Sequence, residues 1–495
     1  MSSTFFGLEI GRSALQTQQK ALDVTGHNIA NANTPGFSRQ EAVLAARNPF
    51  TVPGYNRPTT PGQVGTGVQV EQIRRIRDSF VDAQVRTENK NLGYWTAKQD
   101  ALTKVEVIIN EPSDSSLRSV LDQFWESWQE LSKDPESLSV RSVVRQRGIA
   151  VAETINHMDQ LYSELQYDLN DNIKTKIQDI NSIANQIAEI NKQILPIEAQ
   201  GDKANDLRDR RDLLVDKLSQ LADVNVWEDG LGQLNVTLGG WSMVRGSKVS
   251  LMDTVNDPLN EGYVNVVWAD DTSQAVNLAA GELKGLLEAR GSWDATAGEV
   301  VGIIPAMRKG LNEIAKNIVD TVNAEHSVGY DLDGNTGNNF FKPFDVTWPP
   351  VGKTYAQCIT VDQEILDGLG AIAAGSLAPA PAPIVGDGAN ALAIAQLKQA
   401  KTMALAVGMG TVDDYYRSQI GKLGVDSQEA QRMVDNQQSL VDMLENQRQA
   451  VAGVSLDEEM TNMIKFQKGY EAAARVITVM DEMLDKIING MGMTR

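Results

Sequence analysis

Cysteine and histidine are scarce in this sequence of 495 residues, which holds one cysteine and three histidines. The single thiol, Cys358, forms neither an internal disulfide nor a multi-cysteine metal centre. His27, His157 and His326 lie far apart in the chain, so histidine-rich zinc chemistry is not expected. We predict a buried, unreactive thiol at Cys358 and no bound cofactor or metal.

Long apolar runs and an excess of positive charge are also missing. No stretch of about 18 apolar residues occurs, so no helix is expected to cross a bilayer. The 45 basic and 65 acidic residues give a formal net charge of −20, which repels phosphate backbones and disfavours nucleic acid or an anionic membrane as partners. The N-terminus lacks a basic and apolar leader with an A-x-A site, so we expect no cleaved secretory signal.

Catalytic motifs are absent as well. The sequence contains no phosphate-binding P-loop, no H-E-x-x-H and no G-x-S-x-G, and we therefore predict no enzyme activity. In DLDGNTGNNFF, Asp331, Asp333 and Asn335 match the first three ligands of a calcium loop. Thr336 stands where that loop needs glycine, and Lys342 where it needs glutamate. A structural turn and a bound cation both remain open here.

What the sequence does have is a seven-residue apolar repeat at each end. Such spacing places side chains on one face of a helix and is typical of helices that pack along one another. The N-terminal repeat predicts a helix over about 3–31 and consists of Leu8, Leu15, Leu22 and Ile29. The C-terminal repeat and its companion positions are Leu456, Met463, Phe466, Tyr470, Ile477, Met480, Leu484 and Ile487. One helix pair would be marginally stable, so we expect other copies of the chain to complete these seams.

A turn motif, ANANTPGFSRQ, follows the first predicted helix. Pro35 and Gly36 occupy the central positions of a type II turn, and asparagine favours the end of a helix. Two interpretations stay open: a helix cap with a turn, or a fixed elbow that presents Phe37 and Arg39 to neighbouring molecules. The candidate elbow residues are Asn31, Asn33, Thr34, Pro35, Gly36 and Phe37.

The interior predicts a mainly α fold, with long helical bundle or coiled-coil domains built from both termini and a small inserted β-rich domain. Long helices are expected over 76–110, 115–170, 173–197, 281–289, 300–326 and 411–450, and strands over 224–268 and 357–366. The predicted domains are a terminal coiled coil (1–47 and 454–495), an inner helical domain (48–225, 281–340 and 388–453) and an outer β-rich domain (226–280 and 341–387).

Two arginine-rich stretches, RRIR at 74–77 and RDRR at 208–211, are candidate anion sites. The second alternates with Asp206, Asp209 and Asp212 at helical spacing. Solvated ion pairs three or four residues apart explain that pattern better than an anion site does.

The two ends resemble the flagellar axial proteins of bacteria, a family of rod, hook and hook-associated proteins. The resemblance rests on LQTQQKALDVTGHNIANANTPGFSRQ at the start and on VSLDEEMTNMIKFQKGYEAAARVITVMDEMLDKII at the end. Three internal stretches are similar to the hook-associated members at the hook–filament junction: GDKANDLRDRRDLLVDKLSQL, GELKGLLEARG and NAEHSVGYDLDGNTGNNFF.

This resemblance implies a structural protein that joins the distal end of the hook to the filament. It implies type III export, an extracellular position in the flagellum, and self-assembly into a ring or short helical zone. The implied partners are the hook protein, the third hook-associated protein on the filament side, and a cytosolic export chaperone at the C-terminal region. The alternatives are another axial protein, such as hook or distal rod, and an assembly-associated wall hydrolase.

Overall fold

The computed structural model describes residues 5–49, 65–111, 113, 116–345, 348–350, 352–378, 384–406 and 408–490. Long helices form both ends and most of the interior, and small sheets lie in the middle of the chain, which confirms the predicted mainly α class. The helices are α1 (Phe6–Ala30), α2 (Ser79–Ile109), α3 (Leu117–Lys133), α4 (Leu138–Glu198), α5 (Asn205–Leu221), α6 (Glu282–Arg290), α7 (Ile303–His326), α8 (Tyr355–Cys358), α9 (Gln363–Asp367), α10 (Ala389–Gln396), α11 (Val412–Ala452) and α12 (Leu456–Asp485).

The strands are short and pair antiparallel with their neighbours. They are β1 (Gln40–Ala46), β2 (Val68–Arg75), β3 (Val224–Glu228), β4 (Leu234–Leu238), β5 (Trp241–Arg245), β6 (Lys248–Val249), β7 (Met252–Asn256), β8 (Val264–Trp268), β9 (Asp271–Ala275), β10 (Ser292–Asp294), β11 (Glu299–Val301), β12 (Met403–Ala404) and β13 (Met409–Gly410). In the described residues, β3 to β6 form a four-stranded sheet and β7 to β9 a three-stranded sheet.

Helix α4 is the spine of the molecule. Over its 61 residues it contributes a row of buried apolar side chains to the main core, which also takes residues from α2, α3, α6 and α7. Three asparagines on α4 attach the β region by bonding to strand backbone: Asn170 accepts from the Val264 N–H, Asn181 donates to the Met252 carbonyl and Asn191 donates to the Leu234 carbonyl. Buried amides of this kind satisfy strand groups that would otherwise lack a partner.

The helix boundaries mostly follow the predictions. The predicted helices over 115–170 and 173–197 are wrong in two respects. The chain breaks at 134–137, so that α3 and α4 are separate, and α4 continues past residue 170 to Glu198. Pro196 lies inside the last turn of α4, and the helix stops two residues later at Glu198. Ser455 caps α12 by accepting a hydrogen bond from the Glu458 N–H.

The strand predicted over 357–366 is wrong. These residues form the ends of α8 and α9 with one isolated bridge, between Phe341 and Val361. Thr354 forms a capping box with Gln357, which starts a helix where alternating hydrophobicity had predicted a strand. Cys358 is buried, as expected. Ile359 and Ile365 of this segment are buried in the main core, and the Asn156 side chain of α4 donates to the Ile359 carbonyl.

His326 holds the end of α7 to the chain at Asn338 and Ala373. Its ring is buried, with Nδ1 2.7 Å from the Asn338 carbonyl and Nε2 accepting from the Ala373 N–H at 2.9 Å. Both bonds are satisfied by the neutral ring, with the proton on Nδ1. Burial lowers the pKa of His326 from 6.5 to about 4.

This histidine predicts acid sensitivity. Between pH 6.5 and 4 the unfolded chain binds a proton at His326 that the folded chain does not, so stability falls as the pH drops through that window. The loss at His326 amounts to about 3 kcal/mol when complete. We expect His326→Gln, which retains a donor and an acceptor, to reduce the difference in unfolding free energy between pH 7 and pH 4.5. Equal pH slopes for both proteins would contradict this assignment.

Candidate assembly surface and elbow

The elbow residues form the predicted turn directly after α1. The Phe37 N–H donates to the Thr34 carbonyl at 3.1 Å, and Gly36 has a φ of 79°, as the third residue of a type II turn requires. Thr34 and Pro35 are exposed, as is Asn33, whereas Asn31, Gly36 and Phe37 are half-buried. The Phe37 ring packs edge-on against His27 of the same chain at 5.4 Å. The turn is therefore an internal joint that directs the chain from α1 into β1.

Four polar residues, named here the polar latch, fasten this joint to the start of α12: Asn28, Arg39, Gln40 and Glu459. The Asn28 side chain donates to the Gln40 carbonyl and accepts from the Gln40 N–H. Glu459, which is buried, accepts from Asn28 at 3.1 Å and from Arg39 Nε at 2.8 Å. The latch thus ties α1, β1 and α12 together.

Sequence reasoning missed this role of the latch. Glu459 belongs to an acidic run, Asp457 to Glu459, that suits the positive N-terminus of any helix, so nothing in the run sets one carboxylate apart. One of the two open interpretations presented Arg39 to neighbouring molecules, whereas in this structure it pairs with Glu458 and Glu459 of its own chain. The one available signal was Asn28, a polar side chain on the apolar face of α1.

A charged cluster lies behind the elbow, where β2, α2, α5 and α11 meet. It consists of four arginines and four aspartates: Arg75, Arg77, Arg86, Arg448, Asp82, Asp209, Asp212 and Asp216. Arg77 pairs with Asp82 at 2.6 Å and with Asp212 at 3.2 Å. On the other side, Arg448 of α11 reaches Asp216 of α5 at 2.6 Å.

This cluster corrects the prediction of solvated ion pairs along RDRR. Asp209, Arg211 and Asp212 are buried, and the partners of these aspartates lie on β2, α2 and the loop between them rather than one helical turn away. Burial by itself raises the pKa of Asp212, but the guanidinium groups of Arg77, Arg75 and Arg86 bring the pKa below its usual value. The arginines of RRIR that reach this cluster are therefore occupied by carboxylates and are not free to bind an anion.

The terminal helices pack closely along each other. A Cβ atom at Gly11 would lie 2.8 Å from Ile477, and one at Gly7 would lie 2.5 Å from Met480, so the glycines of α1 make room for the seam of α12. The predicted N-terminal residues Leu8, Leu15, Leu22 and Ile29 are all half-buried. On α12, Met463, Phe466, Ile477, Met480 and Leu484 are half-buried, while Leu456, Tyr470 and Ile487 are exposed.

The apolar surface left uncovered on α12 lies mostly beside the predicted seam. We name five of its residues the outer apolar residues: Met460, Ile464, Val476, Val479 and Met483. Each is between 45% and 58% exposed, although each is large and apolar. Their helical positions place Met460 and Ile464 on one flank of the seam and the other three on the opposite flank. Sequence reasoning missed them because they do not share one seven-residue spacing.

The candidate cation loop is a turn in which Asp331 acts as the organiser. Its Oδ1 accepts from the N–H groups of Asp333 and Asn335, and its Oδ2 accepts from the Asn335 side chain. These bonds use the lone pairs that a calcium ion would require, which favours the structural turn. In the part of the chain that the structure describes, no group of three or more histidine, cysteine, aspartate or glutamate side chains is arranged to hold a metal ion.

No helix among the described residues is both long enough and apolar enough to cross a membrane. The long helices instead carry charged faces and narrow apolar stripes, which suit packing against other protein helices.

Comparison with known families matches three parts of the chain. Residues 102–341 match the helical domain of the flagellar hook-associated protein FlgK. Residues 8–37 match the flagella basal body rod protein family, and residues 450–490 match the C-terminal region of the flagellar basal body rod FlgEFG proteins. The two terminal matches coincide with the elbow, α1 and α12.

Relatives that match nearly the whole chain are named flagellar hook-associated protein 1. The flagellar hook-associated protein 1 of Bacillus subtilis is 39% identical over 99% of this chain and 99% of its own length. The protein of that name from Escherichia coli is 26% identical over 96% and 98%. The solved structure of the flagellar hook junction protein FlgK from Burkholderia pseudomallei shares the fold with a TM-score of 0.62, at 17% identity, over 74% of this chain and all of that one. The chain therefore belongs to the flagellar hook-associated protein 1 family and is a structural component of the bacterial flagellum.

Proposed function

We propose that this protein joins the distal end of the hook to the filament and that copies of it associate through their terminal helices. The observation that carries the proposal is the row of outer apolar residues on α12, which its own α1 leaves exposed. Burying a valine or methionine side chain contributes about 1.5–3 kcal/mol. Five such residues on one helix favour a partner that covers them.

The two flanks of α12 fit an assembly that continues from copy to copy. A patch on one flank and a different patch on the opposite flank permit a head-to-tail contact in which each copy meets two neighbours. Such contacts build a ring when the rotation closes and a short helical zone when it does not. In this proposal the predicted seam residues hold the α1–α12 pair, and the outer apolar residues meet the neighbours.

In this proposal, the polar latch and the charged cluster transmit force from the terminal helices to the inner part of the molecule. Load on the terminal helices passes through Glu459 and Arg39 to β1, and from β2 through Arg75 and Arg77 to α5. Close, largely buried ion pairs resist a change of angle because separating them leaves charges unpaired. The predicted terminal, inner and outer domains are proposed as the parts joined by this path, with 341–378 assigned to the inner part.

The remaining aspects of the proposal concern export and partners. A type III route without a cleaved signal, an extracellular position, contacts with the hook protein and the filament-side hook-associated protein, and a chaperone at the C-terminal region follow from family membership. The exposed apolar face of α12 supports the chaperone, because such a face needs cover before assembly. A purely structural role without catalysis fits a site built from packing surfaces and ion pairs.

Deletion of the gene tests the proposed position in the flagellum. We expect the deletion strain to form hooks of normal length that carry no filament, and to release flagellin into the medium. Electron microscopy of the cells and immunoblotting of the medium check both points. A strain without hooks would instead support a hook or distal rod role, and complementation with the intact gene controls for effects on neighbouring genes.

A further inference from the structure

Helix α11 is firmly packed at its two ends. At its start, Tyr416 and Leu423 are buried in the main core. Near its end, Leu444 is buried against Val81 and Val85 of α2, and Arg448 joins the charged cluster behind the elbow. The helix therefore connects the inner core to the elbow as a continuous strut of 41 residues.

The middle of this strut is weakly packed. Ala430 is the one buried residue between Leu423 and Leu444. Tyr416, Leu423, Ala430, Gln437 and Leu444 follow each other at seven-residue steps, so alanine and glutamine occupy the two central positions of the seam. The Oε1 atom of Gln437 is buried without a hydrogen-bond donor among the described residues. A small side chain and an unsatisfied amide make this part of the seam less stable than its ends.

The neighbouring helix does not compensate. A polar groove of about 920 Å³ lies between α2 and the middle of α11, lined by Gln99, Thr103, Gly424, Gln428 and Asp435 among others. One side-chain hydrogen bond, from Gln99 to Gln431, crosses between the helices at this level. A solvated groove of this kind adds little apolar contact, and contact density is what protects a helix from local opening.

Two glycines add conformational freedom at the edge of this section. Around Gly421 and Gly424, no heavy atom of the described residues, apart from adjacent chain and the local helix backbone, lies within 4 Å of an added Cβ. No close approach therefore requires glycine at either position. Glycine lowers helix stability relative to alanine by a factor of about five in the helix–coil equilibrium. These two residues consequently weaken the strut without any gain in packing.

We propose that residues 424–443 of α11 form a compliant section, which separates from α2 and bends while both ends of the helix stay packed. The opening is local, because Leu423 and Leu444 bound it on either side. This inference concerns the free chain and stands whether or not the protein joins hook to filament.

Hydrogen exchange of the full-length protein, followed by mass spectrometry, tests the proposal. We expect amides of 424–443 to exchange at least about tenfold faster than those of 412–423 and 444–452, because local opening exposes only the middle. The variant Gly424→Ala should slow exchange in the section by about fivefold. Uniform protection along α11 would overturn the proposal.

Two further variants separate a local effect from a general one. Gly26→Ala is the matched control, since Gly26 also lies inside a helix with open space around its added Cβ. It should alter exchange in α1 and leave 424–443 unchanged. Gln437→Leu fills the seam with an apolar side chain and should slow exchange in 424–443 without an effect on α1. If neither Gln437→Leu nor Gly424→Ala slows this section, its packing is not the cause and the proposal fails.

Discussion

A strain that carries Val479→Asp and Met483→Asp is expected to be non-motile and to lack filaments, although the purified protein folds normally. Both side chains are about half exposed on α12, so a carboxylate at each position remains hydrated in the free chain. In an interface each carboxylate would have to leave water, which costs several kcal/mol per ion. Together, the two desolvation penalties exceed the favourable free energy that the other contacts of a modest interface contribute. Motility assays, electron microscopy and circular dichroism of the purified protein check the result.

The matched control adds the same charge without removing apolar surface. Thr461 and Lys468 are polar and exposed on the face of α12 opposite the seam. We expect Thr461→Asp with Lys468→Gln, which changes the net charge by the same two units, to remain motile. A third variant, Ile477→Asp, separates the two faces of α12, because Ile477 contacts α1 at Gly11. It should loosen the helix pair itself and make both termini sensitive to protease. Motile cells with the first double variant would contradict the assignment of the outer apolar residues.

Replacement of Arg77 by methionine is expected to reduce the free energy of unfolding by about 3–5 kcal/mol. Arg77 is largely buried and pairs with Asp82 and Asp212, so its removal leaves two buried carboxylates with less compensation. Methionine retains the length and apolar character of the arginine stem, which limits the loss to the charge and its hydrogen bonds. Denaturant unfolding of the full-length protein, monitored at several probes, measures the difference.

The adjacent arginine supplies the control. Arg74 lies in the same RRIR stretch but is 59% exposed, and its partner Glu41 is 50% exposed. An exposed pair contributes about 0–1 kcal/mol, so Arg74→Met should change stability by no more than that. If the two variants lose the same stability, the cluster behind the elbow behaves as a surface ion pair and does not stiffen the joint.

Local sequence patterns were sufficient to predict those features that depend on residues close together in the chain. The type II turn at Pro35 and Gly36 and most of the long helices follow from short-range geometry and were predicted. The wrong strand prediction also came from reliance on a local pattern. The 357–366 segment alternates like a strand, but Thr354 and Gln357 cap a helix there, and tertiary packing outweighs a weak local preference.

The partners in the ion pairs could not be predicted from the sequence, for a different reason. In RDRR, Arg208 and Arg210 each have an aspartate four residues away, and a pattern of charges does not tell whether its face is solvated. Arg448 and Asp216 are 232 residues apart, and only the fold brings them together. Glu459 was equally ambiguous, since three consecutive acidic residues suit the same helix end.

The sequence by itself determined that each end of this protein is a helix with one apolar stripe, because a seven-residue spacing leaves no other face for those side chains. The tertiary structure decided what each stripe meets. Gly7 and Gly11 let α12 approach α1 closely, so most residues of the predicted seam pack within the chain itself. Most of the apolar surface that remains exposed lies on the flanks of α12. The seven-residue repeat does not predict this exposure, because burial depends on which helix is adjacent and how near it comes.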